Sequence, residues 1–140
     1  AFTFTLPRSW SRYEVFDIND NNPYKLYFSP DLVRYDSNTN IKDNHSPLEV
    51  VVSKKLYDAE IQAIQNDIKR NKDNQKTEEK VNISNFEGTK FTYIEKDLGK
   101  RIGVIIIPYR DRALFIKTDD YDKWNAEYYD KFWKSFALTP

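Results

Sequence analysis

The sequence predicts an α+β sandwich. Two observations carry this: two blocks of short, strand-like segments each run into one amphipathic helical pattern, and the second of those patterns has an unusually wide aromatic face. Turn residues at 97–100 and 108–112 join the second block as an antiparallel meander. Two helices with apolar faces each need a sheet face to cover them. A chain of 140 residues is one ordinary domain, long enough to bury a core.

Taken in order, residues 2–6 alternate apolar and polar as a half-buried strand does, and Pro7 stops them. Residues 13–18 alternate less cleanly as a second strand. Asn19, Asp20, Asn21, Asn22 and Pro23 form a turn cluster before a third strand at 24–28. Residues 30–47 carry Pro30, Asp31, Asp36, Asn38, Asp43, Asn44 and Pro47, which is loop chemistry; a loop this long in a compact domain is functional or mobile. Residues 48–52, Leu-Glu-Val-Val-Val, are β-branched and read as a central strand. From 54 to about 71, Leu56, Ile61, Ile64 and Ile68 fall on one helical face, helped by Ala59.

Residues 71–80 hold no apolar side chain and read as a solvated linker. Residues 80–84 alternate around Val81 and Ile83, and Phe86-Glu87-Gly88 reads as a tight turn. Residues 90–96 form the next strand, and Gly99 supplies a positive φ to the hairpin that follows. Residues 102–107 are the most apolar strand, and 113–117 the last. Asp119 or Asp120 then caps a helix over 120–136. At about 100° per residue, Tyr121, Trp124, Tyr128, Phe132 and Phe136 share one face of that helix. Tyr129 and Trp133 widen the arc and are expected at its rim, open to a loop or a partner, with Trp124 in the core.

Composition narrows the function classes. Aromatic residues make up 16% of the chain, and each buried ring removes ~150–250 Å² from water, so few residues can fill the core. Lys plus Arg equals Asp plus Glu at 22 each, which removes bulk charge as a driver of polyanion binding; no nucleic-acid partner is expected. No apolar run approaches the ~20 residues that span a bilayer. With no Cys in the sequence, disulfides, thiolate zinc sites and a Cys nucleophile are excluded from these residues. The chain does not open on Met, so a lipidated Cys upstream of Ala1 is compatible with it.

Few constellations carry chemistry. His45 is the only histidine, and with Asp43 and Glu49 it is the one grouping suited to a metal, yet its spacing matches no known motif and 44–47 is ordinary loop composition. No metal and no cofactor are expected. The chain has only three glycines and no Gly-x-Ser-x-Gly, so it offers neither a phosphate-cradling loop nor a nucleophile elbow. Glu78-Glu79 reads as solvated and Asp119-Asp120 as a cap, so no catalytic pair is assigned. Arg110 and Arg112 flank a hairpin tip beside Tyr109, and binding residues sit on loops more often than in sheet cores. Tyr109, Arg110, Arg112, Tyr129 and Trp133 are therefore the candidate partner-binding residues.

Several segments, in order, resemble PsbP-like domains. Phe4-x-Leu6-Pro7-x-x-Trp10 is similar to that family's entry strand, and Leu48 to Ser53 stands where the family has its apolar strand before the first helix. Phe86-Glu87-Gly88 through Tyr93 resembles its central strand pair. Ala113 to Thr118, followed by Trp124, Tyr128, Phe132 and Ser135-Phe136, resembles its closing strand and helix. The resemblance implies the Mog1/PsbP/DcrB-like fold, a twisted antiparallel sheet sandwiched between helices. It also implies a non-enzymatic module that binds a protein partner or assists assembly, here of the bacterial lipoprotein type and therefore extracytoplasmic. An intracellular adaptor or a chaperone of secreted effectors with the same fold is the alternative.

Overall fold

The computed structural model describes residues 2–5, 10–29, 48–72, 75–124 and 128–138. The first block is β1 (Phe2–Thr3), β2 (Ser11–Phe16), β3 (Tyr24–Ser29) and β4 (Leu48–Ser53), followed by α1 (Tyr57–Asn71). The second is β5 (Thr77–Ile83), β6 (Phe86–Glu95), β7 (Lys100–Tyr109) and β8 (Arg112–Thr118), followed by α2 (Tyr121–Trp124), α3 (Asp130–Lys134) and β9 (Ala137–Leu138). The fold is α+β, as the strand and helix blocks predict.

β2 to β8 form one antiparallel sheet of seven strands in the order β2-β3-β4-β8-β7-β6-β5. The meander β5 to β8 supplies one half, and β4 joins it to the other by pairing with β8. Period-two alternation then sorts side chains onto two faces. Val51, Val104, Ile106 and Phe115 point to the face that α1 covers with Ile64 and Ile68. Val50, Val52, Ile105, Ile107, Leu114 and Ile116 point to the other, which receives Tyr129, Phe132, Phe136 and Leu138. A continuous apolar run such as Val-Ile-Ile-Ile at 104–107 is what a strand buried on both faces requires.

The N-terminal strand closes the second face. β1 pairs with β9, Phe2 opposite Leu138, and the Thr5 amide donates to Ser135 Oγ at 2.9 Å. Phe4 then meets Phe28 edge-on at 5.1 Å and Phe132 at 5.3 Å.

Four sequence readings change. The polar stretch at 77–79 is strand, not linker: β5 is an edge strand whose Thr77, Glu78, Glu79 and Lys80 are all exposed, so it needs no apolar face. The tight turn begins two residues earlier, at Ser84 and Asn85, which both take positive φ (49° and 69°), and Phe86 to Gly88 already belong to β6. Leu56 is not on the buried helix face but precedes the helix and is 63% exposed.

The last helix is shorter and differently built. Its described parts are α2 and, after a π-type turn at Tyr128 and Tyr129, α3; Phe136 lies beyond α3, before β9. Seven aromatic rings do not fit one regular face. The wider turn lets Tyr128 meet Trp10 at 4.9 Å while the next residue, Tyr129, drops onto the sheet. Asp120, rather than Asp119, caps α2: its Oδ1 accepts from the Lys123 amide at 3.2 Å.

One glycine makes this packing possible. A Cβ on Gly103 would stand 2.8 Å from the Tyr121 ring and 3.0 Å from the Tyr129 ring. Gly103→Ala is expected to cost ~1–3 kcal/mol, read as a lowered urea midpoint, because two rings must shift to admit one methyl group.

Candidate functional site

The antiparallel order brings the C-terminal ends of β2, β4, β5 and β7 to one end of the sheet. Two connections there are tied together. The Lys54 amide donates to Asn21 O at 2.9 Å, and the Lys54 ammonium donates to Ile18 O. The turn itself is self-braced: the Asp17 amide donates to Pro23 O, and the Asn22 amide donates to Asp20 Oδ1. That amide holds the Asp20 carboxyl below its usual range, and Lys25 at 3.6 Å acts in the same direction.

The same end carries the most exposed large apolar side chains described: Phe16 at 72%, Ile18 at 67% and Leu56 at 63%. The β7–β8 hairpin lies beside them, since Ser53 pairs with Ala113 and so puts Lys54 next in register to Arg112. Arg110 occupies the hairpin tip at φ 57° and reaches over the Tyr109 ring at 5.7 Å; Arg110 and Arg112 are exposed, while Tyr109 leans on the core. Arginine and aromatic side chains together, here Arg110, Arg112 and Phe16, are what protein interfaces concentrate.

The sequence-predicted residues thus divide. Tyr109, Arg110 and Arg112 come together. Tyr129 does not belong with them: it is fully buried over the sheet, and its hydroxyl donates to Ile116 O at 2.8 Å. The expectation that it stands at the rim is corrected, because the π-type turn rotates it inward. Burial places its phenol well above the usual range, and Asp130 and Tyr121 add to that. Trp124 is also corrected, from core to half-buried; it packs on Trp10 at 5.9 Å and Tyr128 at 5.5 Å.

Trp133 is half-buried as expected, and belongs to a cluster that sequence reasoning missed. Lys90, on β6, has a side chain only 7% exposed. Its ammonium lies 3.3 Å from Asp130 Oδ1, 3.2 Å from the Tyr121 hydroxyl and 3.8 Å from Glu79 Oε1. The Tyr121 and Trp133 rings flank it at 5.1 and 5.5 Å, and Trp133 Nε1 donates to Asp130 Oδ1 at 2.8 Å. Burial alone would pull the ammonium pKa down; Tyr121 and Asp130 outweigh it and hold the pKa above its usual value. A protonated, enclosed lysine is a poor nucleophile, and the cluster's chemistry is that of a tie between the C-terminal segment and the sheet. The available signal was a Lys at an inward position of an alternating strand.

Asp43 and His45 lie outside the described residues. Glu49 sits in β4, opposite Tyr27 on one side and Lys117 on the other, and is half-buried. Among the described residues no helix is long and apolar enough to cross a membrane. Comparison with family models, with curated proteins and with solved structures finds no match to this chain.

Proposed function

We propose that this domain is a non-enzymatic, extracytoplasmic protein-binding or assembly module of the PsbP-like kind. The observation that carries the reading is the sheet end at which exposed Phe16, Ile18 and Leu56 stand with Arg110 and Arg112. Isolated apolar residues on a surface are ordinary; here three large ones are exposed at one end of the sheet, Phe16 at the end of β2 and Ile18 and Leu56 on two connections tied through Lys54. An antiparallel sheet packed on both faces gives that end a base: β4, β7 and β8 are each paired on both sides, and β2 is paired with β3. The resemblance in Leu6-Pro7-x-x-Trp10 and in the closing strand and helix supports the family; the α+β order agrees with it at the level of fold class.

The variant Phe16→Ser/Leu56→Ser/Arg110→Glu/Arg112→Glu tests the reading. Each position is exposed, so unfolding free energy is expected to move by no more than ~0.5 kcal/mol per site. Affinity for the partner is expected to fall at least ~100-fold, as loss of an anchor cluster does. Unchanged partner affinity in this folded variant contradicts the assignment.

A further inference from the structure

Among the described residues, β5 leaves an open sheet edge next to a groove. The strand runs from Thr77 to Ile83 in unbroken register with β6, with no proline and no bulge, and among the described residues no strand pairs with its outer side. Edges of this kind are normally shortened, bent or covered. Beside it, α1 and the start of β5 enclose a cavity of about 340 Å³ lined by Gln65, Ile68, Lys69, Lys76, Thr77 and Glu78. A strand edge bordering a helix groove is the geometry by which extended peptides are recognised: main-chain hydrogen bonds give affinity, and alternate side chains fill the groove.

The charges select the peptide. Glu79 points to the opposite face, 3.8 Å from Lys90 Nζ, so it is no part of the groove. Glu78 faces α1, and its Oε1 accepts from Gln65 Nε2 at 3.2 Å. Lys80 lies on that same face, with its ammonium 3.2 Å from Thr89 Oγ1. Among the described residues the groove itself is lined by Lys69 and Lys76 beside Ile68, with the Glu78 carboxylate held by Gln65; Lys76, one residue before the strand, and Lys80 flank Glu78 on the same face. Strand periodicity turns this into a pattern. On an added antiparallel strand, the residue opposite Glu78 points to the groove side, and the residues two places either side lie opposite Lys76 and Lys80.

We infer that the β5 edge accepts an extended peptide segment of the form acid-x-apolar-x-acid. This site is separate from the hairpin end and stands or falls without it.

The probe is an acetylated, amidated peptide, Thr-Glu-Thr-Leu-Thr-Glu-Thr, titrated into the isotope-labelled domain. Saturable amide shifts are expected along 77–83 and at Gln65, Ile68 and Lys69. Replacing both peptide Glu residues by Lys is expected to weaken binding at least ~10-fold, since two ion pairs become repulsions. Lys69→Glu/Lys76→Glu in the domain is expected to reverse that preference. N-methylation of one alternate set of peptide amides abolishes binding and methylation of the other set does not, because only alternate amides face the neighbouring strand. The inference is overturned by absence of saturable shifts, by affinity independent of peptide charge, or by equal tolerance of both methylation patterns. It is overturned equally if the free domain dimerises through β5, which would assign the edge to a second copy.

Discussion

Phe132→Ala is expected to cost ~3–5 kcal/mol, the range for a fully buried ring whose cavity cannot close. Phe132 is 2% exposed and touches Phe4, Phe28 and Phe136 at ring separations of 5.3, 5.4 and 6.1 Å. Those partners belong to three different parts of the chain: the N-terminal segment, β3 and the stretch before β9. One truncation therefore loosens the whole layer over the second sheet face. Trp124→Ala is the comparison. Its ring is half-buried and rests on Trp10 and Tyr128, so ~1–2 kcal/mol is expected despite the larger side chain. Urea unfolding of both variants, with unchanged m-values, measures the order. A larger loss from Trp124 would contradict the packing described.

Asp130→Ala is expected to cost roughly 2–4 kcal/mol, at the lower side of what breaking a buried ion pair costs, because Asp130 keeps more solvent contact than Lys90. The loss comes from leaving the ammonium enclosed with only Tyr121 and the more distant Glu79. Lys90→Met removes the charge along with its need for a partner, and is expected to stay within ~1 kcal/mol of the parent. The pH profile separates the contributions. Lys90, Tyr93 and Tyr129 all have pKa values raised in the folded state, that of Tyr93 to about 12 by burial and by Glu95. A raised folded pKa gives stability that is complete below the unfolded pKa and is lost as pH rises through the folded one. Stability is thus expected to fall above pH ~10, with the lysine part of that fall missing from Lys90→Met and the tyrosine part retained.

Much of the fold was legible because it rests on local period. Val50 to Val52 and Ile105 to Ile107 alternate between two buried faces, and Ile61, Ile64 and Ile68 repeat at helical spacing. Gly99, at φ 63°, was readable as a hairpin residue for the same local reason. What was not legible depends on where an element lies in the sheet. Glu78 and Glu79 look like linker until β5 is known to be an edge strand. Phe16, within a strand pattern at 13–18, stands 72% exposed on β2 at the other edge, a position that local alternation does not reveal.

The candidate site divides along the same line. Arg110 and Arg112 announce a hairpin tip from sequence alone, since turn chemistry is local. Ile18 and Leu56 join that surface only through the Lys54 bonds to Asn21 O and Ile18 O, which connect segments far apart in the chain. Tyr129 failed as a rim residue because a wider helical turn changes the angular position of every residue after it, and an ideal 100° wheel does not contain that turn.

The central claim is that binding belongs to the sheet end and that the C-terminal aromatic layer is packing. Site-specific photo-crosslinking tests it most directly. A photoreactive residue is introduced at Phe16, Leu56 or Arg112, and separately at Trp133 or Lys123, and the domain is exposed in the cells that produce it. Cross-links to one and the same protein from the first three positions, competed by excess unlabelled domain and absent from the other two, are the expected result. Cross-links to that protein from Trp133 or Lys123, with none from Phe16, Leu56 and Arg112, would contradict it.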